Sequence, residues 1–262
     1  MPTTRRSGLA IHYELVGSGP PLVLLHGGFA SSGTWRLEGY VEALQVDHLL
    51  VLADARGHGR SDKPHEAASY STSNEASDVL AVLDEVGLSS AALCGFSMGA
   101  ITALRVAACH PARVDAVAAI SSDLEGVGFA DLPAAKSDDS WAQRFEREGM
   151  AWIVADLERE GRHAWARLVE QGDPVAMAAM LRGPVEPIPQ RLKDLAAPSL
   201  FAWGEQEVRE GDEAILPVGA RFLVVPGADH VGTLERSDLL IPEIRSLLAG
   251  IRSEPIATPG AR

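Results

Sequence analysis

The chain has 262 residues, 46% apolar and 23% charged, enough for one large buried core with a small appended subdomain and too apolar for a disordered chain. Its formal net charge of −13 argues against a nucleic-acid binder, because so acidic a surface repels phosphate and offers no basic stripe. A small, neutral or apolar molecule is the expected partner, and a homo-oligomer is left open.

The N-terminal stretch MPTTRRSGLAIHYELVG carries two arginines with no apolar run behind them, and no later stretch is long and uncharged enough to span a bilayer. A cytoplasmic protein with no membrane partner is therefore expected. Cys94 and Cys109 each lie in an apolar segment and read as reduced, buried thiols. With no CxxC and no paired-histidine spacing, neither a metal nor another cofactor is expected.

Short apolar runs bounded by Gly, Pro or Asp recur along the chain: Pro21 to Leu25, Leu49 to Ala53, Ala91 to Cys94, Ala116 to Ile120, Leu200 to Trp203 and Phe222 to Val225. Such runs read as strands buried on both faces, the mark of a mostly parallel sheet. Helical periods lie between them. Thr72 and Ser73 are candidate caps for a helix carrying Val79, Leu80, Leu83 and Val86, which Gly87 stops. Met98 to Cys109 reads as a second helix ended by Pro111, and Pro242 to Leu248 as a third that begins at its proline. The alternation predicts an α/β doubly wound sheet whose ligand site lies at the C-terminal ends of its strands.

From Leu124 to Leu195 the strand-like runs cease, and helical stretches around Trp141 to Leu157, Ala164 to Val169 and Val175 to Leu181 are separated by Gly and Pro. This segment reads as an inserted helical cap. The expected organisation is thus a core made of residues 1–123 and 196–252, a cap of residues 124–195, and a disordered tail over 253–262.

Chemistry concentrates at the strand ends. Gly95-Phe96-Ser97-Met98-Gly99 joins a strand directly to a helix, a turn so tight that only small residues fit two positions before and after its centre. The turn lifts Ser97 above the sheet, at a helix N-terminus that favours developing negative charge. A serine hydroxyl needs a base, and His230, in Pro226-Gly227-Ala228-Asp229-His230 beyond the last apolar run, is the candidate. His12, His48, His65, His110 and His163 carry no motif and read as surface or turn residues. A carboxylate must hold the imidazole: Glu207, in the turn Gly204-Glu205-Gln206-Glu207, is best placed, with Asp123 as the competing acid from a neighbouring strand end. Asp229 adjoins the histidine, but its side chain should point away. For the oxyanion of a tetrahedral intermediate, the N–H groups of Met98 and of Gly28, in the turn His26-Gly27-Gly28-Phe29, are the candidate donors.

These features together resemble the α/β-hydrolase fold family, from Gly8 to Ile251. The resemblance rests on His26-Gly27-Gly28, the stretch Asp54 to Asp62 (DARGHGRSD), Gly95 to Gly99, Gly204 to Glu207 and Gly227 to His230. The Asp54 to Asp62 stretch shapes a loop near the pocket and is assigned no catalytic step. Within the family the chain is most similar to capped esterases, enol-lactonases, perhydrolases and carbon-carbon bond hydrolases. Its serine differs from the aspartate nucleophile of the epoxide hydrolases and haloalkane dehalogenases, and Glu207 stands where aspartate is usual. The resemblance implies a serine hydrolase acting on a small apolar ester or lactone through an acyl-enzyme on Ser97. A carbon-carbon hydrolase, a biosynthetic acyltransferase or cyclase, and a non-catalytic receptor remain alternatives. Phe29, Trp141, Phe145, Met150, Trp152 and Trp165 supply aromatic and thioether surface suited to an apolar substrate, as do Met177 and Met180, although packing of cap on core uses the same residues.

Overall fold

The structure, a computed structural model, describes residues 2–6, 8–122, 124–130, 139–188, 190–209, 211–249 and 251. Eight strands form one sheet: β1 Thr3–Arg6, β2 Leu9–Gly17, β3 Pro21–Leu25, β4 Leu49–Ala53, β5 Ala91–Phe96, β6 Val114–Ile120, β7 Ser199–Gly204 and β8 Arg221–Val225. Their spatial order is β1-β2-β4-β3-β5-β6-β7-β8. The six apolar runs are the six parallel strands, and β1 and β2 add an antiparallel edge.

Alternation along these strands builds two cores. One face sends Leu22, Leu24, Leu50, Leu52, Cys94 and Leu200 against Trp35 of α1 (Gly33–Leu37), Tyr40 of α2 (Tyr40–Leu44) and Ile244 of α10 (Ser237–Leu248). The other sends Val23, Val51, Leu93, Val117 and Phe201 against Val82 and Leu83 of α3 (Thr72–Val86) and Ala103 and Leu104 of α4 (Met98–Cys109). Helices on both faces of a parallel sheet give the doubly wound architecture.

Between β6 and β7 the α-helices among the described residues are α5 Ser140–Glu148, α6 Ala151–Arg159, α7 His163–Val169 and α8 Pro174–Leu181. An isolated parallel bridge pairs Phe129 with Ile188, on either side of these four helices. After β8, the described residues form α9 His230–Glu235 and α10.

Several expectations are corrected. The cap of α3 is Ser71, whose side chain accepts the Asn74 N–H, so Thr72 is already the first helical residue. The stretch Trp141 to Leu157 is two helices, because Gly149 adopts φ +64° after α5. Helix α10 begins at Ser237 rather than Pro242, which sits inside it. Cys109 is exposed, since the last turn of α4 emerges from the core, whereas Cys94 is buried and both thiols are free. His12 is buried within β2. Residues 253–262 and Asp123 lie outside the described residues.

Candidate active site

The parallel register sets the site. Leu25 of β3 pairs with Gly95 of β5, Phe96 with Ile120 of β6, Ile120 with Ala202 of β7, and Gly204 with Val225 of β8. The loops leaving these five strands therefore emerge side by side. Among the described residues the three non-glycines with positive φ are Phe29 (69°), Ser97 (53°) and Ser121 (48°), at the ends of β3, β5 and β6. Such conformations cost about 1–3 kcal/mol each and persist where surrounding structure enforces them.

At the turn after β5 that enforcement is steric. A Cβ on Gly95 would lie 2.2 Å from the Gly99 carbonyl oxygen, and one on Gly99 would lie 2.1 Å from the Leu25 carbonyl oxygen. The Ser97 N–H donates to the Ile120 carbonyl at 2.8 Å, which pins the bend to β6.

Ser97 Oγ lies 2.9 Å from His230 Nε2, and His230 Nδ1 lies 2.6 Å from Glu207 Oε1. A carboxylate at Nδ1 keeps that nitrogen protonated and leaves Nε2 with a free lone pair for the serine hydroxyl. The other carboxylate oxygen, Oε2, accepts from Ser121 Oγ at 2.7 Å, the Gly204 N–H at 3.1 Å and Thr233 Oγ1 at 3.3 Å. Burial raises the Glu207 pKa, but the bonds from His230 and Ser121 outweigh it and hold the carboxyl below its ordinary range. Asp229 turns away: its carboxylate caps α9 through the Gly232 N–H at 2.6 Å and pairs with Arg162 at 2.7 and 2.9 Å.

Beside Ser97, the loop after β3 is tied down by two buried histidines. The Ala55 N–H donates to His26 Nε2, and the Phe29 N–H to His58 Nε2, each at 3.0 Å. Among the described residues the N–H groups of Gly28 and Met98 have no protein acceptor. The arrangement thus offers a hydroxyl, a base and two unclaimed donors around one point.

That point opens into a cavity of about 540 Å³ lined by Gly28, Phe29, Phe96, Ser97, Met98 and His230 on the sheet side. Trp141, Ile153, Leu157, Trp165, Val169 and Met180 line it from the helical insertion. Phe145, Met150 and Trp152 are buried behind this wall, with Phe145 against Phe29 at 4.9 Å and Trp152 edge-on to Trp141 at 5.2 Å between ring centres. Met177 is likewise fully buried. Sequence reasoning missed Ser121, Thr233 and Arg162, whose polar atoms carry no motif and reach the site only through strand register and helix packing. Among the described residues no group of three or more His, Cys, Asp or Glu is arranged to hold a metal, and no helix is long and apolar enough to cross a membrane.

Residues 20–152, half of the chain, match the profile described as the alpha/beta hydrolase fold. The chain belongs to the alpha/beta hydrolase fold family. Two curated relatives are an epoxide hydrolase of Caballeronia sordidicola, 33% identical over 115 residues, and the bifunctional epoxide hydrolase 2 of Sus scrofa, 34% identical over 118 residues. These matches cover 44% and 45% of this alpha/beta hydrolase, which spans only 35% and 21% of the relatives' lengths. A solved enol-lactonase from Burkholderia xenovorans LB400 superposes with a TM-score of 0.79 at 23% identity, covering 95% of this chain and all of that one, a likeness of fold.

Proposed function

We propose that this hydrolase cleaves a small, largely apolar carboxylic ester or lactone through an acyl-enzyme on Ser97. The observation that carries the reading is the continuous hydrogen-bonded line from Ser97 Oγ through His230 to Glu207, at 2.9 and 2.6 Å. Ser97 Oγ attacks the carbonyl carbon as its proton passes to His230 Nε2, and Glu207 stabilises the imidazolium. The oxyanion takes the N–H groups of Gly28 and Met98. Collapse expels the alkoxide, which receives the proton from His230. Water, deprotonated by the same nitrogen, then attacks the acyl carbon, and collapse releases Ser97 as its Oγ takes that proton back from His230 and the carboxylic acid leaves. His230 keeps 48% of its side chain exposed, so water has a route to the base.

The cavity volume and its Phe29, Trp141, Trp165 and Met180 walls support an apolar substrate. Epoxide opening, the activity named for the curated relatives, fits poorly: a serine hydroxyl adding to an epoxide leaves an ether that water does not cleave, whereas a carboxylate leaves a hydrolysable ester. A serine-directed fluorophosphonate should label Ser97, and p-nitrophenyl ester turnover should disappear in Ser97→Ala. Labelling elsewhere, or turnover that survives the substitution, refutes the proposal.

A further inference from the structure

One wall of the same cavity departs from the rest. Glu75 lines it from α3, together with Tyr70, Thr72, Met98 and Ile101. On that helix it falls among the inward positions Thr72, Ala76, Asp78, Val79 and Val82, where the core calls for apolar side chains. It also borders a small void of about 30 Å³ between α3 and the sheet.

Its polar neighbours are committed to others. Arg56 is held by both carboxylate oxygens of Asp78, each at 2.7 Å. Arg105 donates to the carbonyls of Val127 and Glu186 and to Ser73 Oγ. The Tyr70 hydroxyl donates to the Pro64 carbonyl at 2.6 Å, and Thr72 Oγ1 accepts the Glu186 N–H at 3.1 Å. Among the described residues the Glu75 carboxyl itself has no hydrogen bond and no ion pair. Burial pushes it up to about 7, with Arg56 and Arg105 pulling down and Asp78 pushing up.

Glu75 is half-buried and lines the cavity with no protein partner for its carboxyl, so what enters the cavity supplies that partner. Such conflicts between local environment and residue type concentrate where a ligand supplies the missing partner. We propose that Glu75 determines specificity by accepting a hydrogen bond from a hydroxyl or ammonium group on the substrate, on the α3 wall of the cavity that Ser97 and His230 also line. This rests on the reading of Ser97 as the nucleophile. The otherwise apolar cavity then holds the body of the substrate, and the acid reads one donor at its end.

The test uses p-nitrophenyl hexanoate and its ω-hydroxy and ω-amino analogues, with a matched acetate series that carries the donor on the alcohol side. The wild-type enzyme should favour a donor-bearing ester in one series, and Glu75→Leu should erase that preference by about tenfold or more, chiefly through KM. Glu75→Gln keeps an acceptor but no charge, so a preserved hydroxyl preference identifies an alcohol, and a preference lost in both variants identifies an ammonium. Binding of the matching methyl ketones, followed through the fluorescence of Trp141 and Trp165, reads the same preference without any chemistry. Failure of the Ser97 reading would show as hexanoate turnover that survives Ser97→Ala, or as labelling elsewhere, and would leave this binding preference intact. Equal treatment of plain and donor-bearing ligands by wild type and both variants, in turnover and in binding, overturns the proposal.

Discussion

At the residue scale the decisive group is Glu207. Its Oε1 faces His230 Nδ1, while Oε2 is held by Ser121, Gly204 and Thr233, so the carboxylate is fixed at both oxygens. Replacing it with glutamine conserves shape but presents either an amide oxygen with no charge or an NH₂ group, which would turn the imidazole proton to Nε2 and leave Ser97 without a base. Glu207→Gln should lower kcat by roughly 10³–10⁴-fold with KM little changed, as judged by steady-state ester hydrolysis. Near-normal turnover there, with collapse in Asp123→Asn, would transfer the acid role to Asp123. The position of Glu207 was legible in the sequence, because it follows an apolar strand run and such ends converge in a doubly wound sheet, whereas Asp123 lies outside the described residues. The hydroxyls that grip Glu207 were not. Ser121 is an ordinary residue after β6 and Thr233 one of α9, and only the pairing of β6, β7 and β8 makes them neighbours of the acid.

At the element scale the strand-turn-helix of β5 and α4 was fully legible, since the demand for small residues at Gly95 and Gly99 is local. Two effects compete in Gly99→Ala. Alanine is the better helix former by about 1 kcal/mol, yet its Cβ would meet the Leu25 carbonyl at 2.1 Å, a backbone atom fixed in a central strand. Overpacking of this kind costs typically 1–3 kcal/mol and should win. Urea unfolding should show a net loss of up to about 2 kcal/mol together with loss of ester turnover, because relief of the clash drives α4 away from β3. A stabilised, active variant would mean that the elbow is looser than its geometry indicates. Less of the remaining structure could be read. β1 (TTRR) has no apolar residue, and β2 (LAIHYELVG) breaks its apolar residues with His12 and Glu14 and leaves its second half partly exposed, so neither shows the continuous buried run that betrays a central strand. Helix α10 runs through Pro242 because Leu240, Ile244, Leu247 and Leu248 bury one continuous stripe, and that burial outweighs the one backbone bond to Asp238 that proline forgoes.

At the scale of the whole molecule, the motif DARGHGRSD is explained by what it fastens. His26, from the loop after β3, accepts the Ala55 N–H and shares a 2.7 Å bond with the Gly27 carbonyl; His58, from the loop after β4, accepts the Phe29 N–H and bonds the Arg56 carbonyl at 2.9 Å. Each ring thus uses Nε2 as acceptor and Nδ1 as donor, and the two, 5.2 Å apart, lace the β3 loop that carries Gly28 to the β4 loop. This function requires neutral imidazoles. Burial lowers the pKa of His26 and pushes that of His58 down to about 3, from an ordinary 6.5. Below pH 6.5 the unfolded chain binds protons that the folded chain refuses, so stability falls as pH drops from about 6.5 toward 3 and is unaffected by these groups above it. The slope is at most about 1.4 kcal/mol per pH unit for each ring. Carboxylates such as Glu207, held low in the folded state, add acid sensitivity only nearer their own ordinary range, about pH 4 to 5. The interval from pH 6.5 to 5 therefore reports the two histidines, opposed by Glu75, whose raised folded pKa of about 7 makes it take up a proton there and offset up to one ring's slope. His58→Gln, whose amide oxygen can still accept the Phe29 N–H, should flatten the urea midpoint across that interval while losing some stability at pH 7.5. An unchanged slope in the variant would show that the folded protein protonates His58 as readily as the unfolded one, and that the bond holding the Gly28 loop is not the one the geometry describes.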